Sequence, residues 1–390
     1  MIAPFTFQNT TKIYFGEGVL SSLGEELKTH GKTVLLVYGG GSIRKNGLYD
    51  VVLSQIAGAG LQVVELGGVE PNPRVESVQK GAELCKAHGV DVVLAVGGGS
   101  TIDAAKFIAA SACSDAHPWD LVTAKVKIER ALPIVTVLTL AATGSEMNAV
   151  GVISNLSIHQ KRGGGSPFVQ PKASFLDPTL TYSVGKYQTA CGSADILSHT
   201  MEVYFSPGGA FSLLDEWMEG IMRTVVQYAP VALQNPCDYD ARSNLMWAGT
   251  WAINGLMRAG RNNAWSCHPM EHELSAFYDV THGLGLAILT PRWLEYILSE
   301  QTAPRVARFG EKVFCVKQSG DVIADAKSAI SALENFLFET LGLSRMLTEI
   351  GIGEGHFADM ARQAAGDGKL LSAYVPLDEK DVENIYKACL

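Results

Sequence analysis

Cysteine is scarce, with seven in 390 residues. Cys85, Cys113, Cys191, Cys237, Cys267, Cys315 and Cys389 form no CxxC pair, and their odd number excludes a disulfide framework and fits a reducing compartment. Charge is also thin, at 18% of residues with a formal net charge of -9. The only adjacent basic pairs that stand out, Arg44-Lys45 and Lys161-Arg162, are too short for a nucleic-acid surface. No stretch approaches the roughly 18 uninterrupted apolar residues of a membrane span, and the first residues lack the basic segment and apolar core of a secretory signal. Repeats and low-complexity tracts are missing as well. What remains is a well-packed globular composition, 47% hydrophobic, expected in the cytoplasm without nucleic-acid or membrane partners.

The first half of the chain repeats one pattern. Thr33–Tyr38 reads as a buried strand and runs straight into Gly39-Gly40-Gly41-Ser42, followed by helix from about Leu48. Residues 91–96 lead in the same way into Gly97-Gly98-Gly99-Ser100 and a helix. Ile134–Leu138 leads into Thr139-Leu-Ala-Ala-Thr143, and Gln62–Leu66 supplies a further strand. Ahead of these, residues 5–15 alternate like a strand and 19–28 like a helix, while Gly163-Gly164-Gly165 reads as loop. Alternating buried strands and helices predict an α/β dinucleotide-binding domain, a parallel sheet with helices on both faces, whose ligands sit beyond the carboxyl ends of the strands. Glycine loops at those ends expose backbone N–H groups to a pyrophosphate, although neither G-x-G-x-x-G nor a P-loop lysine is present.

Beyond about residue 185 the periodicity turns helical, at 190–205, 213–229, 241–256, 265–278, 285–300, 323–340 and 379–390. The chain therefore reads as a dinucleotide-binding domain, residues 1–185, and an all-helical metal and substrate domain, residues 186–390, with the reaction in the cleft between them.

The helical half carries the chemistry. Asp195 and His199 stand at i and i+4 on one helix face, and His268 and His272 repeat that spacing. His282 follows just before Gly283. Imidazole nitrogen with carboxylate oxygen suits a borderline divalent ion, Fe(II) or Zn(II). Cys191 and Cys267 qualify as ligands by spacing alone, but read better as small buried apolar residues. His30, His88, His117, His159 and His356 have no partner at metal spacing.

Several of these segments together, Gly97-Gly-Gly-Ser-Thr-Ile-Asp103-Ala-Ala-Lys106, Thr143-Gly-Ser-Glu146-Met-Asn, Lys172-Ala-Ser-Phe-Leu-Asp177-Pro, the Asp195 to Glu202 helix and His268-Pro-Met-Glu-His272 through His282-Gly-Leu-Gly, resemble the iron-containing alcohol dehydrogenase family. The resemblance spans essentially the whole length, and is strongest to its NADPH-dependent butanol dehydrogenases and aldehyde reductases. It implies a divalent metal on Asp195, His199, His268 and His282, pyrophosphate on Gly98, Gly99 and Ser100, nicotinamide contacts from Asp103 and Lys161, cofactor contacts from Thr139 and Thr143, and a homodimer. Members that use NAD carry an acid where this chain has Gly39. Gly39, Gly40, Gly41 and Ser42, with Arg44 and Lys45 behind them, admit a 2'-phosphate instead, so NADPH is expected ahead of NADH. The implied reaction is reversible hydride transfer between NADP(H) and short-chain primary alcohols or aldehydes of the butanol and butanal type. His272 is the candidate proton relay, its other reading being a hydrogen-bonded neighbour of the ligands. One departure is Gly185, where many members have proline.

Two other readings compete. His268-Pro-Met-Glu271-His272 also spells H-x-x-E-H, a zinc-peptidase motif in which both histidines bind metal and the glutamate is the base. A lyase of the dehydroquinate synthase type shares the fold, but it would want arginines and lysines around the metal, and the segments around 195–205 and 265–282 hold none.

Overall fold

The computed structural model describes residues 2–208, 211–262 and 264–390. It divides into two compact units, one Gln8–Val184, the other Gly185–Leu390 together with the described N-terminal residues through Phe7.

The first unit is built on strands β1 (Lys12–Phe15), β2 (Thr33–Tyr38), β3 (Gln62–Leu66), β4 (Val92–Gly97), β5 (Ile134–Leu138), β6 (Val150–Asn155), β7 (Gln160–Gly165) and β8 (Ala173–Leu176). Its helices are α1 (Leu23–Lys28), α2 (Ser42–Lys45), α3 (Leu48–Gly58), α4 (Val75–His88), α5 (Gly99–Ala112) and α6 (Pro118–Val122). Six strands pair in parallel in the order β1-β8-β5-β4-β2-β3. Every residue of β4 and β5 is buried, which requires cover on both faces of the sheet. The chain steps from β2 outward to β3, then returns to β4 on the other flank of β2. That reversal places the loops after β2 and β4, both glycine-rich, at the point where open α/β sheets bind ligands.

Two local expectations fail. Strand structure covers only Lys12–Phe15 rather than 5–15, because Asn9 diverts the backbone: its Oδ1 accepts the Thr11 N–H at 3.1 Å and its Nδ2 donates to the Met147 carbonyl at 2.8 Å. The residues before it side with the helical unit, where the Ala3 N–H donates to the Gly260 carbonyl at 3.1 Å. Gly163-Gly164-Gly165 is not loop but part of β7, antiparallel to β6 in a hairpin outside the main sheet. A Cβ at Gly164 would lie 2.2 Å from the Val122 carbonyl oxygen, so the glycine permits α6 to end directly on the strand.

The second unit is helical: α7 (Lys186–Tyr204), α8 (Ser212–Gln234), α9 (Tyr239–Ala252), α10 (Cys267–Tyr278), α11 (His282–Tyr296), α12 (Ala303–Phe314), α13 (Val322–Glu334), α14 (Phe357–Ala365) and α15 (Glu379–Ala388). α13 continues as a π-helical turn, Asn335–Thr340, and α8 runs through Pro230. No described helix is long and apolar enough to cross a membrane.

Glycine also sets how closely α12 and α13 approach, since a Cβ at Gly310 would meet the Ala329 Cβ at 2.3 Å. Gly310→Ala should cost about 1–3 kcal/mol through overpacking. Gly220→Ala on α8, whose nearest neighbour would be an Arg223 side-chain nitrogen at 3.8 Å, should be neutral or stabilising by up to about 1 kcal/mol. Urea midpoints at constant m-value measure both; equal shifts would show that close packing at Gly310 is not what fixes the pair.

Candidate metal centre and cofactor loops

α7 is buried from Thr189 to its end, so Asp195 and His199, one turn apart, project into the interior of the helical unit. α10 supplies His268 in its first turn. A tight turn then reverses the chain: Asp279 takes φ 53°, and its backbone N–H donates to the Ser275 carbonyl at 3.0 Å. α11 therefore starts, with His282, alongside the helix just left. Gly283 fixes the depth of its entry, because a Cβ there would stand 2.0 Å from the Cys191 carbonyl oxygen of α7. Gly285 does the same toward α10, where a Cβ would lie 2.8 Å from Glu271 Cγ. Two glycines thus let three helices converge on one point.

At that point Asp195, His199, His268 and His282 each present a ligand atom, all within 4.8 Å of one another. Asp195 Oδ1 lies 3.5 Å from His199 Nδ1 and 3.7 Å from His282 Nε2. The His199 and His268 rings stack at 4.6 Å, and those of His268 and His282 meet edge-on at 5.2 Å. His199 Nδ1 and His268 Nε2 are buried with no hydrogen-bond partner. Nitrogen atoms left in that state cost free energy unless something accepts their lone pairs, and a cation does so. Burial, reinforced by the neighbouring imidazoles His268, His282 and His272, holds His199 well below the ordinary imidazole range. It is therefore neutral, as a ligand must be.

Two carboxylates complete the arrangement, and the sequence reading assigned neither this role. Glu202, two turns past Asp195 on α7, accepts the Ser266 and His268 backbone N–H groups, each at 2.7 Å, and contacts His268 Nδ1 at 3.0 Å. Glu271 Oε2 pairs with His282 Nδ1, and its Oε1 accepts the Ser275 hydroxyl. A carboxylate at Nδ1 holds the proton there and turns the lone pair of Nε2 toward the cluster. The signal available in sequence was Glu202 at i+7 from Asp195. Glu271 was visible only as the middle of H-x-x-E-H.

Glu271 also overturns the peptidase reading. Its side chain is fully buried and committed to His282 and Ser275, so it is not a base facing a water. His272 falls outside the four-residue group and joins only a second grouping, with Glu271 and His282. Its ring centre is 5.8 Å from that of His282 and 6.4 Å from that of His268, beside the cluster. Cys191 and Cys267 stay outside too; burial pushes the Cys191 thiol up to about 11 and raises Cys267 as well. Trp265, which the sequence reading missed, sets its ring 4.4 Å from His268 and 5.8 Å from His199 as an aromatic wall.

In the other unit the cofactor candidates gather around the ends of β2, β4 and β5. The Thr139 N–H donates to the Gly97 carbonyl at 3.0 Å, and a Cβ at Gly99 would meet the Thr143 side chain at 2.3 Å. Thr139 and Thr143 therefore border the turn of Gly97, Gly98, Gly99 and Ser100, where α5 begins with N–H groups that have no preceding carbonyl. Cβ atoms at Gly40 and Gly41 would meet nothing within 4 Å, and one at Gly39 would lie 3.7 Å from Thr101 Oγ1. Both glycine loops thus lie close together at the sheet's reversal point, and such a cradle fits a dinucleotide. Asp103 is buried at the start of α5. Its oxygens accept the Ser145 hydroxyl at 2.5 Å and the Val152 N–H at 2.9 Å, fastening β6 to α5. Lys161, buried on β7, donates to Asn72 Oδ1 at 2.9 Å. Lys106, which burial brings down to about 8, donates to Asn148 and the Val150 carbonyl at the same junction.

The family model "Iron-containing alcohol dehydrogenase" matches residues 10–178, and "Fe-containing alcohol dehydrogenase family, C-terminal" matches residues 189–390. The chain is 46% identical over 384 residues to the NADH-dependent butanol dehydrogenase A of Clostridium acetobutylicum, covering 98% of both. It is 39% identical over 353 residues to the NADPH-dependent aldehyde reductase YqhD of Escherichia coli, covering 89% of both. The crystal structure of NADH-dependent butanol dehydrogenase A from Thermotoga maritima superposes with a TM-score of 0.94 at 39% identity, over 100% of this chain and 99% of that one. These matches give no support to a peptidase or a lyase.

The carboxylate partners provide a direct check. Glu202→Gln should weaken the apparent affinity for a divalent ion about 10–100-fold in chelator competition, while the metal-free protein unfolds close to the wild-type temperature. An unchanged affinity would reduce Glu202 to a backbone anchor.

Proposed function

The chain belongs to the iron-containing alcohol dehydrogenase family, and on that premise we propose that it transfers a hydride reversibly between NADP(H) and short-chain primary alcohols or aldehydes, of the butanol and butanal kind. Asp195, His199, His268 and His282 hold one divalent ion, Fe(II) or Zn(II). The observation that carries this reading is the convergence of those four ligand atoms within 4.8 Å, two of them buried nitrogens without a hydrogen bond.

When bound, the ion supplies Lewis acidity that stabilises negative charge on the carbonyl oxygen, and the nicotinamide supplies or accepts the hydride. The protein's own residues do the rest. Glu202 and Glu271 hold His268 and His282 in one orientation. Of the four ligands His282 is the most open, its side chain 23% exposed against 3–6% for the others, so the substrate oxygen approaches from its side. His272, half-buried next to His282, passes a proton to that oxygen or takes one from it. Trp265 gives the alkyl chain an apolar surface.

The unit Gln8–Val184 serves as the cofactor domain. Gly98, Gly99 and Ser100 take the pyrophosphate, with Thr139 and Thr143 at their border. Lys161 faces the nicotinamide half, and Asp103 acts by holding the hairpin that carries Lys161. Gly39, Gly40, Gly41 and Ser42 receive the adenosine ribose. The chain is similar to relatives named for each nicotinamide; NADP(H) is favoured because Gly39 places no carboxylate against a 2'-phosphate and Arg44 stands nearby. By resemblance to its family the enzyme is a homodimer, and its seven free cysteines suit the cytoplasm.

The experiment is NADPH-dependent reduction of butanal by purified, metal-loaded protein, compared with a chelated sample and with His268→Ala. Removing the ion or one ligand should cut turnover about a hundredfold or more, since several kcal/mol of charge stabilisation are lost. NADPH binding followed by nicotinamide fluorescence should persist. Turnover surviving chelation, or cofactor binding lost together with it, would contradict the division of labour.

A further inference from the structure

A second carboxylate-centred cluster lies beside the Gly39–Ser42 loop, and its acid, Glu65, has no part in the chemistry above. Glu65, next to last in β3, receives the Tyr49 hydroxyl on both oxygens at 2.9 Å, the Tyr38 hydroxyl at 3.0 Å and Arg44 Nη2 at 3.1 Å. Arg44 also donates to the Tyr38 hydroxyl at 2.5 Å, and its guanidinium lies 3.8 Å from the centre of the Tyr49 ring. Tyr38 ends β2, Gly39–Ser42 follow it, and Arg44 sits in the short helix that the loop enters. The loop after β3 lines the same turn, the Gly68 N–H donating to the Gly39 carbonyl at 3.2 Å. The guanidinium best placed to meet an anion at Gly39–Ser42 is therefore already engaged, by an acid on the edge strand.

We propose that Glu65 determines cofactor specificity by holding Arg44 back, so that it sets how far the chain favours a cofactor bearing a 2'-phosphate over one with a free 2'-hydroxyl. The inference rests on the reading above that the β2 loop receives the adenosine ribose. A phosphate dianion pairs with a guanidinium more strongly than a carboxylate does, through two parallel N–H···O bonds, but here it must first displace Glu65. A 2'-hydroxyl makes no such demand on Arg44. The pair is substantially exposed, 50% at Arg44 and 35% at Glu65, and exposed ion pairs are weak, so the opposition amounts to about two- to fivefold in affinity. An opposition of that size tempers a preference for NADP(H) without excluding NAD(H).

The test is titration of metal-loaded wild type, Glu65→Gln, Arg44→Gln and the double variant with NADPH and with NADH, followed by nicotinamide fluorescence. Glu65→Gln should raise the ratio Kd(NADH)/Kd(NADPH) about two- to fivefold by tightening NADPH, and Arg44→Gln should lower it. In the Arg44→Gln background the effect of Glu65→Gln should vanish. A ratio unmoved by Glu65→Gln, or a gain that persists undiminished without Arg44, would overturn the proposal. Wild-type protein that bound neither nicotinamide would overturn the functional reading itself, a distinguishable result.

Discussion

The helical unit is organised around one electrostatic problem: a carboxylate and three imidazoles held together out of water. Buried polar atoms are tolerated only when something satisfies them, and here the satisfaction comes in two layers. Glu202 and Glu271 take the Nδ1 sides of His268 and His282, leaving the Nε2 sides and Asp195 to face each other. The inner layer then makes sense only around a cation. Three helices must touch for this to happen, and Gly283 and Gly285 are the positions at which any side chain would keep them apart.

Much of this was legible in the sequence because it obeys local periods. A continuous apolar run marks a buried strand whatever surrounds it, and Thr33–Tyr38 and Ile134–Leu138 fall where they were expected, as does Gln62–Leu66, an edge strand with only Leu66 buried. The i, i+4 spacing of Asp195 and His199 is likewise a property of one helix. Local patterns misled where a tertiary contact decided the outcome. Alternation over 5–15 looked like strand, but Asn9 turns the chain. Gly163 to Gly165 looked like loop, yet glycine is there so that a strand can lie against the end of α6. The helices Ala303–Phe314 and Phe357–Ala365 went unread although their apolar residues recur at helical spacing. In the first, Val306, Ala307, Phe309, Gly310 and Val313 form a buried stripe that was there to find.

The partners of the site residues were harder still. Glu202 reaches His268 across 66 positions of sequence and Arg44 reaches Glu65 across 21, distances at which no pattern operates. Glu271 was in plain view but carried the wrong role, because H-x-x-E-H says nothing about which way a glutamate points. Asp103 shows the converse. A carboxylate at the start of α5 suggests a ligand contact, and what the sequence does not show is that it also accepts the Val152 N–H and so ties the β6–β7 hairpin to α5. In each case residue type suggested a chemistry and the fold decided which neighbour would use it.

The central claim is that Asp195 and His199 of α7, His268 of α10 and His282, the first residue of α11, form a single divalent-metal site. Anomalous X-ray scattering recorded on either side of the iron and zinc absorption edges, from crystals of protein carrying its native metal, tests it most directly. The account predicts one strong peak within bonding distance of Asp195, His199, His268 and His282. A peak seated instead on Glu271 and His272, or no peak among the four ligands, would contradict it.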